Sequence, residues 1–185
     1  YRTCQNFTGL AARRLNANGV PLGKAINLPM PGRVGNVAGG DVVLAAQGRN
    51  FAAAAMISHP SIGPEEGYAG FTTAVLNDKV FGPHRISSFP VSGVVDMAAS
   101  PAGGYLLLFM GSTDDSPYQA LFVQELDARG VPQGQPLALT GADYIGFDGA
   151  VASLPDGRWI VVTRAQQVDS GACSERLVGT VVAGD

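Results

Sequence analysis

The chain has 185 residues, with 12 Lys and Arg against 15 Asp and Glu and a formal charge of −3. That balance disfavours nucleic acid as a main partner, because phosphate binding needs clustered Lys and Arg. Charged residues make up 15 % and hydrophobic ones 46 %, with 25 Gly and 12 Pro; a chain of this kind turns often, can bury a core and is not intrinsically disordered.

In chain order, the apolar runs predict strands at 7–15, 20–28, 41–47, 51–58, 69–76, 94–100, 105–111, 119–126, 149–154, 159–165 and 176–182. Each is short, and most are rich in Val, Leu, Ile or aromatics and bounded by Gly, Pro, Asn or Asp. No segment carries a helical period. The alanine run 52–55 has helix propensity, yet it stands in register with 106–109 and 160–163, so it reads as strand with small residues where two sheets approach closely.

Two turn elements repeat along the chain. Leu15-Asn16-Ala17-Asn18-Gly19-Val20-Pro21-Leu22-Gly23 is echoed by Leu126-Asp127-Ala128-Arg129-Gly130-Val131-Pro132-Gln133-Gly134, with a weaker copy at Leu76-Asn77-Asp78-Lys79-Val80-Phe81-Gly82-Pro83. A second turn precedes an aromatic that opens an apolar run at Phe51, Tyr105 and Trp159, a spacing of 54 both times. Each period therefore holds four antiparallel strands, a to d, with tight a–b and c–d turns and longer b–c and d–a connections. Four-stranded sheets repeated at about 40 to 50 residues imply an all-β, β-propeller-like array. The expected arrangement is one propeller segment over 1–185, comprising strands c and d of a partial blade (1–29), full blades at 41–89 and 94–140, and a partial blade at 149–185. That makes three to three and a half blades, an incomplete ring that a missing segment or a protein partner would complete.

Pro155-Asp156-Gly157-Arg158-Trp159-Ile160-Val161-Val162 resembles the central stretch of WD-like repeats in Tol-type periplasmic propellers. Leu126–Gly134 followed by Gln135-Pro136-Leu137 resembles strand-turn-strand repeats of large secreted bacterial proteins. Only the third unit carries the Asp-Gly-Arg-Trp turn in full; the first has Gln47-Gly48-Arg49-Asn50 and the second Pro101-Ala102-Gly103-Gly104 at that place. The resemblance implies a propeller in an extracytoplasmic setting, whether periplasmic, cell-surface or secreted. It implies no reaction.

In such a topology the long loops share one rim, where binding residues concentrate. That rim is expected to carry Glu65, Glu66, Asp114, Asp115, Asp143, Asp148, Asp169 and Glu175, with Arg33 the one base placed there. An acidic rim suits a cation, a basic partner or a polyhydroxylated ligand, although loop acids also serve solubility. With Tyr68, Tyr118, Tyr144 and Phe147 as the rim's stacking aromatics, the ligand-binding candidates put forward are Glu65, Glu66, Tyr68, Asp114, Asp115, Tyr118, Asp143, Tyr144, Asp148 and Asp169. No cofactor is expected. Ca²⁺ at 112–116 is a minor alternative, since the D-x-[DN]-x-[DN]-G pattern is absent.

Catalytic residues are not assigned. His59 and His84 each adjoin a proline and no Gly-x-Ser-x-Gly elbow occurs. Asp156-Gly157 reads as a turn that caps its own backbone, and Phe51, Tyr105 and Trp159 read as core. Cys4 and Cys173 could form a disulfide, pair with other chain or stay free; CxxC spacing is absent. No run reaches the eighteen or so apolar residues of a membrane span, so the chain is expected to be soluble, with any export signal removed or upstream. The resulting expectation is a non-catalytic extracytoplasmic module for protein binding or assembly, through open sheet edges or the acidic rim. The alternatives are part of a propeller enzyme acting on glycans, and a structural subunit of an envelope or surface complex.

Overall fold

The computed structural model describes residues 9–31, 42–57, 68–113, 119–141, 144–167 and 175–182. Among these there is no helix, and therefore none long and apolar enough to cross a membrane. The strands are β1 Gly9–Leu15, β2 Pro21–Pro29, β3 Val42–Gln47, β4 Asn50–Ile57, β5 Ala69–Leu76, β6 Lys79–Arg85, β7 Val91–Ala99, β8 Tyr105–Gly111, β9 Ala120–Leu126, β10 Pro132–Ala138, β11 Tyr144–Ser153, β12 Trp159–Gln167 and β13 Glu175–Val182. They form four antiparallel sheets in strictly sequential order: β1-β2, β3-β4-β5-β6, β7-β8-β9-β10 and β11-β12-β13. The first strands of the later three sheets stack on one another, β3 against β7 and β7 against β11. The result is a propeller-like array in which strand a of each blade is innermost.

The 54-residue spacing sets which side of each blade a residue faces. On β8, Tyr105, Leu107 and Phe109 turn toward the second sheet, while Leu106 and Leu108 turn toward the fourth, so β8 is buried on both faces. Size is traded across each interface. Between the second and third sheets, small Ala52, Ala54 and Ala74 meet large Tyr105, Leu107, Phe109 and Phe122, whose rings continue to Phe89 at 4.7 Å from Phe122. Between the third and fourth, large Leu106, Leu108, Leu121 and Val123 meet Trp159 and Val161. Glycines complete that second interface. A Cβ on Gly149 would come within 2.7 Å of Leu108, and one on Gly146 would collide with Leu121. Interiors are close-packed, so Leu108 and Leu121 need these small residues opposite them.

Polar ties also join neighbouring blades. Gln47 Nε2 donates to the Pro101 carbonyl at 3.0 Å. The Val151 amide donates to Asp96 Oδ2 at 2.8 Å, and the buried Thr72 hydroxyl donates to the Gly130 carbonyl at 2.6 Å. The duplicated c–d turns are alike in detail. Asn16 Oδ1 accepts from the Asn18 and Val20 amides, and Asp127 Oδ1 accepts from those of Arg129 and Val131. The weaker copy is a shorter device, a two-residue turn with Asn77 at φ 50° and Asp78 at φ 62° joining Leu76 to Lys79, the left-handed pair that matches strand twist.

Two strands start well before their predicted positions. β7 begins at Val91 rather than 94. β11 begins at Tyr144 rather than 149, because a bulge between Gly146 and Asp148 lets pairing with β12 continue through a stretch whose Gly and Asp read as loop. Tyr144 and Asp148 therefore belong to a strand and not to a rim loop.

Candidate assembly faces

The candidate rim residues distribute as follows. Glu65, Glu66, Asp114, Asp115, Tyr118, Asp143 and Asp169 lie outside the described residues, as do His59, Cys4 and Cys173. Tyr68 precedes β5 and is 42 % exposed. Asp148 is exposed on β11, where its Oδ1 accepts from the Gly149 amide. Glu175 opens β13. Among the described residues, no three His, Cys, Asp or Glu side chains are grouped to hold a metal ion. His84 stands on edge strand β6 opposite Thr72.

The tight-turn end is better defined. Asp156 does cap its own turn, accepting from the Arg158 amide and pairing with the Arg158 guanidinium at 2.7 Å. The Arg158 hydrogen bond holds the Asp156 carboxyl below the usual carboxylate range. Phe51, Tyr105 and Trp159 are buried, which is the core role that repetition in phase implies, and burial pushes the Tyr105 phenol up.

Two surfaces stand out by breaking the rule of two-sided burial. On β12 burial alternates, with Trp159, Val161, Thr163 and Ala165 inside and Ile160, Val162 and Arg164 outside. Strand pairing sets Ala150 and Ala152 of β11, and Gly179 and Val181 of β13, beside Val162 and Ile160 on this outer side, with Leu177 beside Arg164. Ile160 is 36 % exposed, Val162 41 %, Val181 56 % and Leu177 77 %. The same repeat positions in the preceding blades, Leu106 and Leu108 on β8 and Ala52 and Ala54 on β4, are 0 % exposed.

The second surface is a groove of about 650 Å³ between β1 and the inner part of the second sheet, lined by Leu15, Leu22, Leu44, Phe51 and three arginines, Arg13, Arg14 and Arg49. β1 and β2 cover the Phe51, Ala53 and Val75 part of the second sheet through Leu10, Ala12, Ile26 and Leu28. They leave Val42 and Leu44 of β3 about half exposed. Among the described residues, β1 pairs with β2 on one edge and with no strand on the other. Charge gathers at the turn end of this groove. Arg14 pairs with Asp78 at 2.7 Å and Arg49 approaches the same carboxylate at 3.6 Å. The Arg14 hydrogen bond, with its charge, holds the Asp78 carboxyl below its ordinary value.

Residue type alone did not mark either surface, because Ile160, Val162, Val42 and Leu44 look like any strand interior. The signal that finds them is positional: each belongs to a repeat face that is covered elsewhere in the same chain.

No family model and no curated sequence matches this chain. Among solved structures it is similar to the endo-arabinase from Bacteroides thetaiotaomicron VPI-5482, at 11 % identity and a TM-score of 0.49, over 84 % of this chain and 63 % of that one. The chain thus spans less than two thirds of that structure's length, and a likeness of this degree assigns it neither activity nor substrate.

Proposed function

We propose that this chain is a non-catalytic, extracytoplasmic propeller module whose work is protein binding or assembly, through the open sheet face of β11–β13 and the open edge of β1. The observation that carries the reading is the contrast at one repeat position: Leu108 fully buried, Val162 41 % exposed. Covering a Val or Leu side chain completely contributes roughly 1.5–3 kcal/mol, so an apolar face of this extent favours a partner over water. Contiguous exposed apolar patches mark interaction sites. The extracytoplasmic placement is supported by the repeat resemblance alone. A glycan-acting enzyme is the competing reading, and the slight likeness to an endo-arabinase does not carry it.

The test is light scattering over a range of concentrations, together with binding of an apolar fluorescent dye, for the wild type and for Val162→Asp/Leu177→Asp. Both residues are exposed, so the double variant should fold. The wild type is expected to self-associate or bind dye, and the variant to do neither. Identical behaviour of the two proteins would overturn the reading.

A further inference from the structure

Resting on the assembly reading, the geometry points to a specific occupant for the arginine-lined groove: we propose that it takes an extended strand from a partner protein, added antiparallel to the open edge of β1. The partner strand has an apolar residue at every second position and a carboxylate in the turn that precedes it.

Such a strand would continue a pattern of pairing already present in the other sheets. In the second, third and fourth sheets, the strand c edge facing the channel is paired: β5 with β4, β9 with β8 and β13 with β12. β1 is the fourth strand c, fixed as such by the Leu15-Asn16 turn that repeats Leu126-Asp127. Its corresponding edge is open among the described residues. The repeat also sets the register. Tyr105 pairs with Leu126, so the aromatic that opens an incoming strand would lie opposite Leu15. Its next two residues facing β4, the equivalents of Leu106 and Leu108, would then fall over Phe51 and Ala53, beside Leu44, where the groove lies. Main-chain pairing gives such an addition its affinity, and alternate side chains give its specificity.

Charge supplies the second criterion. The turn end of the groove carries Arg13, Arg14 and Arg49, and among the described residues the carboxylate in ion-pair contact with the last two is Asp78. Arg14 Nε is also buried without a hydrogen-bond partner. A carboxylate in the turn of the incoming strand would meet this excess of positive charge. The chain itself shows that such a segment exists, since Asp156-Gly157-Arg158 precedes the alternating strand Trp159–Gln167.

The probe is a labelled synthetic peptide of residues 153–167, titrated into the full chain carrying Val162→Asp/Leu177→Asp, so that the outer face of β11–β13 cannot contribute. Saturable binding is expected, weakened about tenfold when the receptor also carries Leu44→Asp. Binding should weaken about threefold when the probe carries Asp156→Asn and vanish for a scrambled peptide. Leu22→Asp, at a half-exposed position lining the groove, serves as a second receptor variant and should also weaken binding. Absence of saturable binding, equal binding of the scrambled peptide, or indifference to both receptor variants would overturn the proposal. Displacement of the probe by unlabelled intact chain at equal concentration would put a second copy in the groove, and would overturn the assignment to a separate partner. None of these outcomes touches the dye and light-scattering comparison, which alone judges the open face of β11–β13.

Discussion

Leu108 and Val162 occupy the same place in successive repeats, on strand b, with side chains directed toward the following blade. One is enclosed by Trp159 and Val161 of the next sheet, and the other is 41 % exposed. The difference lies in the neighbourhood and not in the residue, since both are aliphatic and both sit on well-paired strands. Repeat positions in a stacked array inherit their energetic role from what stacks on them. The internal blade shows what the outer face is shaped for.

Substitutions should separate the two positions widely. Leu108→Ala is expected to cost about 2–5 kcal/mol, the usual range for a buried leucine truncation. Val162→Ala should stay within roughly 0.5 kcal/mol, as exposed positions do. Urea unfolding midpoints measure both, and similar losses would mean that the two faces are equally covered in solution.

The tie between the second and third sheets gives a sharper comparison. Thr72→Val keeps the shape but leaves the Gly130 carbonyl without its 2.6 Å donor. A buried acceptor so stranded costs about 1–3 kcal/mol, again by denaturant unfolding. A loss near zero would show that water or another donor replaces the hydroxyl.

The duplicated turns offer a third contrast. Asp127→Ala removes the acceptor for the Arg129 and Val131 amides in a turn packed against Ala74 through Gly130. It should cost about 1 kcal/mol, near the worth of a typical hydrogen bond. Asn16→Ala removes the equivalent bonds from an exposed turn, where water substitutes, and about half that is expected. The reverse order would break the link between stacking and stability.

The smallest effect is electrostatic. The folded state holds Asp78 below its ordinary value of 3.8 through Arg14, so its contribution is present above the unfolded value and is lost as pH falls through the folded one. Because the group is exposed, the contribution is small and screened by salt. An NMR titration of the Asp78 carboxyl should find it depressed at low ionic strength and relaxing upward in high salt. An ordinary value at low salt would mean that the Arg14 pair does not persist.

Much of this architecture is legible in the primary structure. The 54-residue spacing of Phe51, Tyr105 and Trp159, the duplicated turns, and the small Ala52–Ala55 run all anticipate what the sheets do, because strand alternation and turn chemistry are local properties. The start of β11 was less legible. Gly146 looks like a loop residue until Leu121 is seen against it, and that contact joins residues from different blades. The acidic rim cannot be judged in the same way, since Tyr68, Tyr144, Asp148 and Glu175 are its described members and three of them lie in strands.

The order of strands, the pairing within each blade and the alternation of inward and outward side chains were thus written in the sequence by itself. Which apolar faces are covered was decided only by the tertiary structure. Val162 and Leu108 are chemically close, and local rules treat them alike; burial depends on a neighbouring sheet contributed by residues some 50 positions away. The groove beside β1 is of the same kind. Its arginines come from β1 and from the β3–β4 turn, and stacking of two sheets, not spacing along the chain, brings them together.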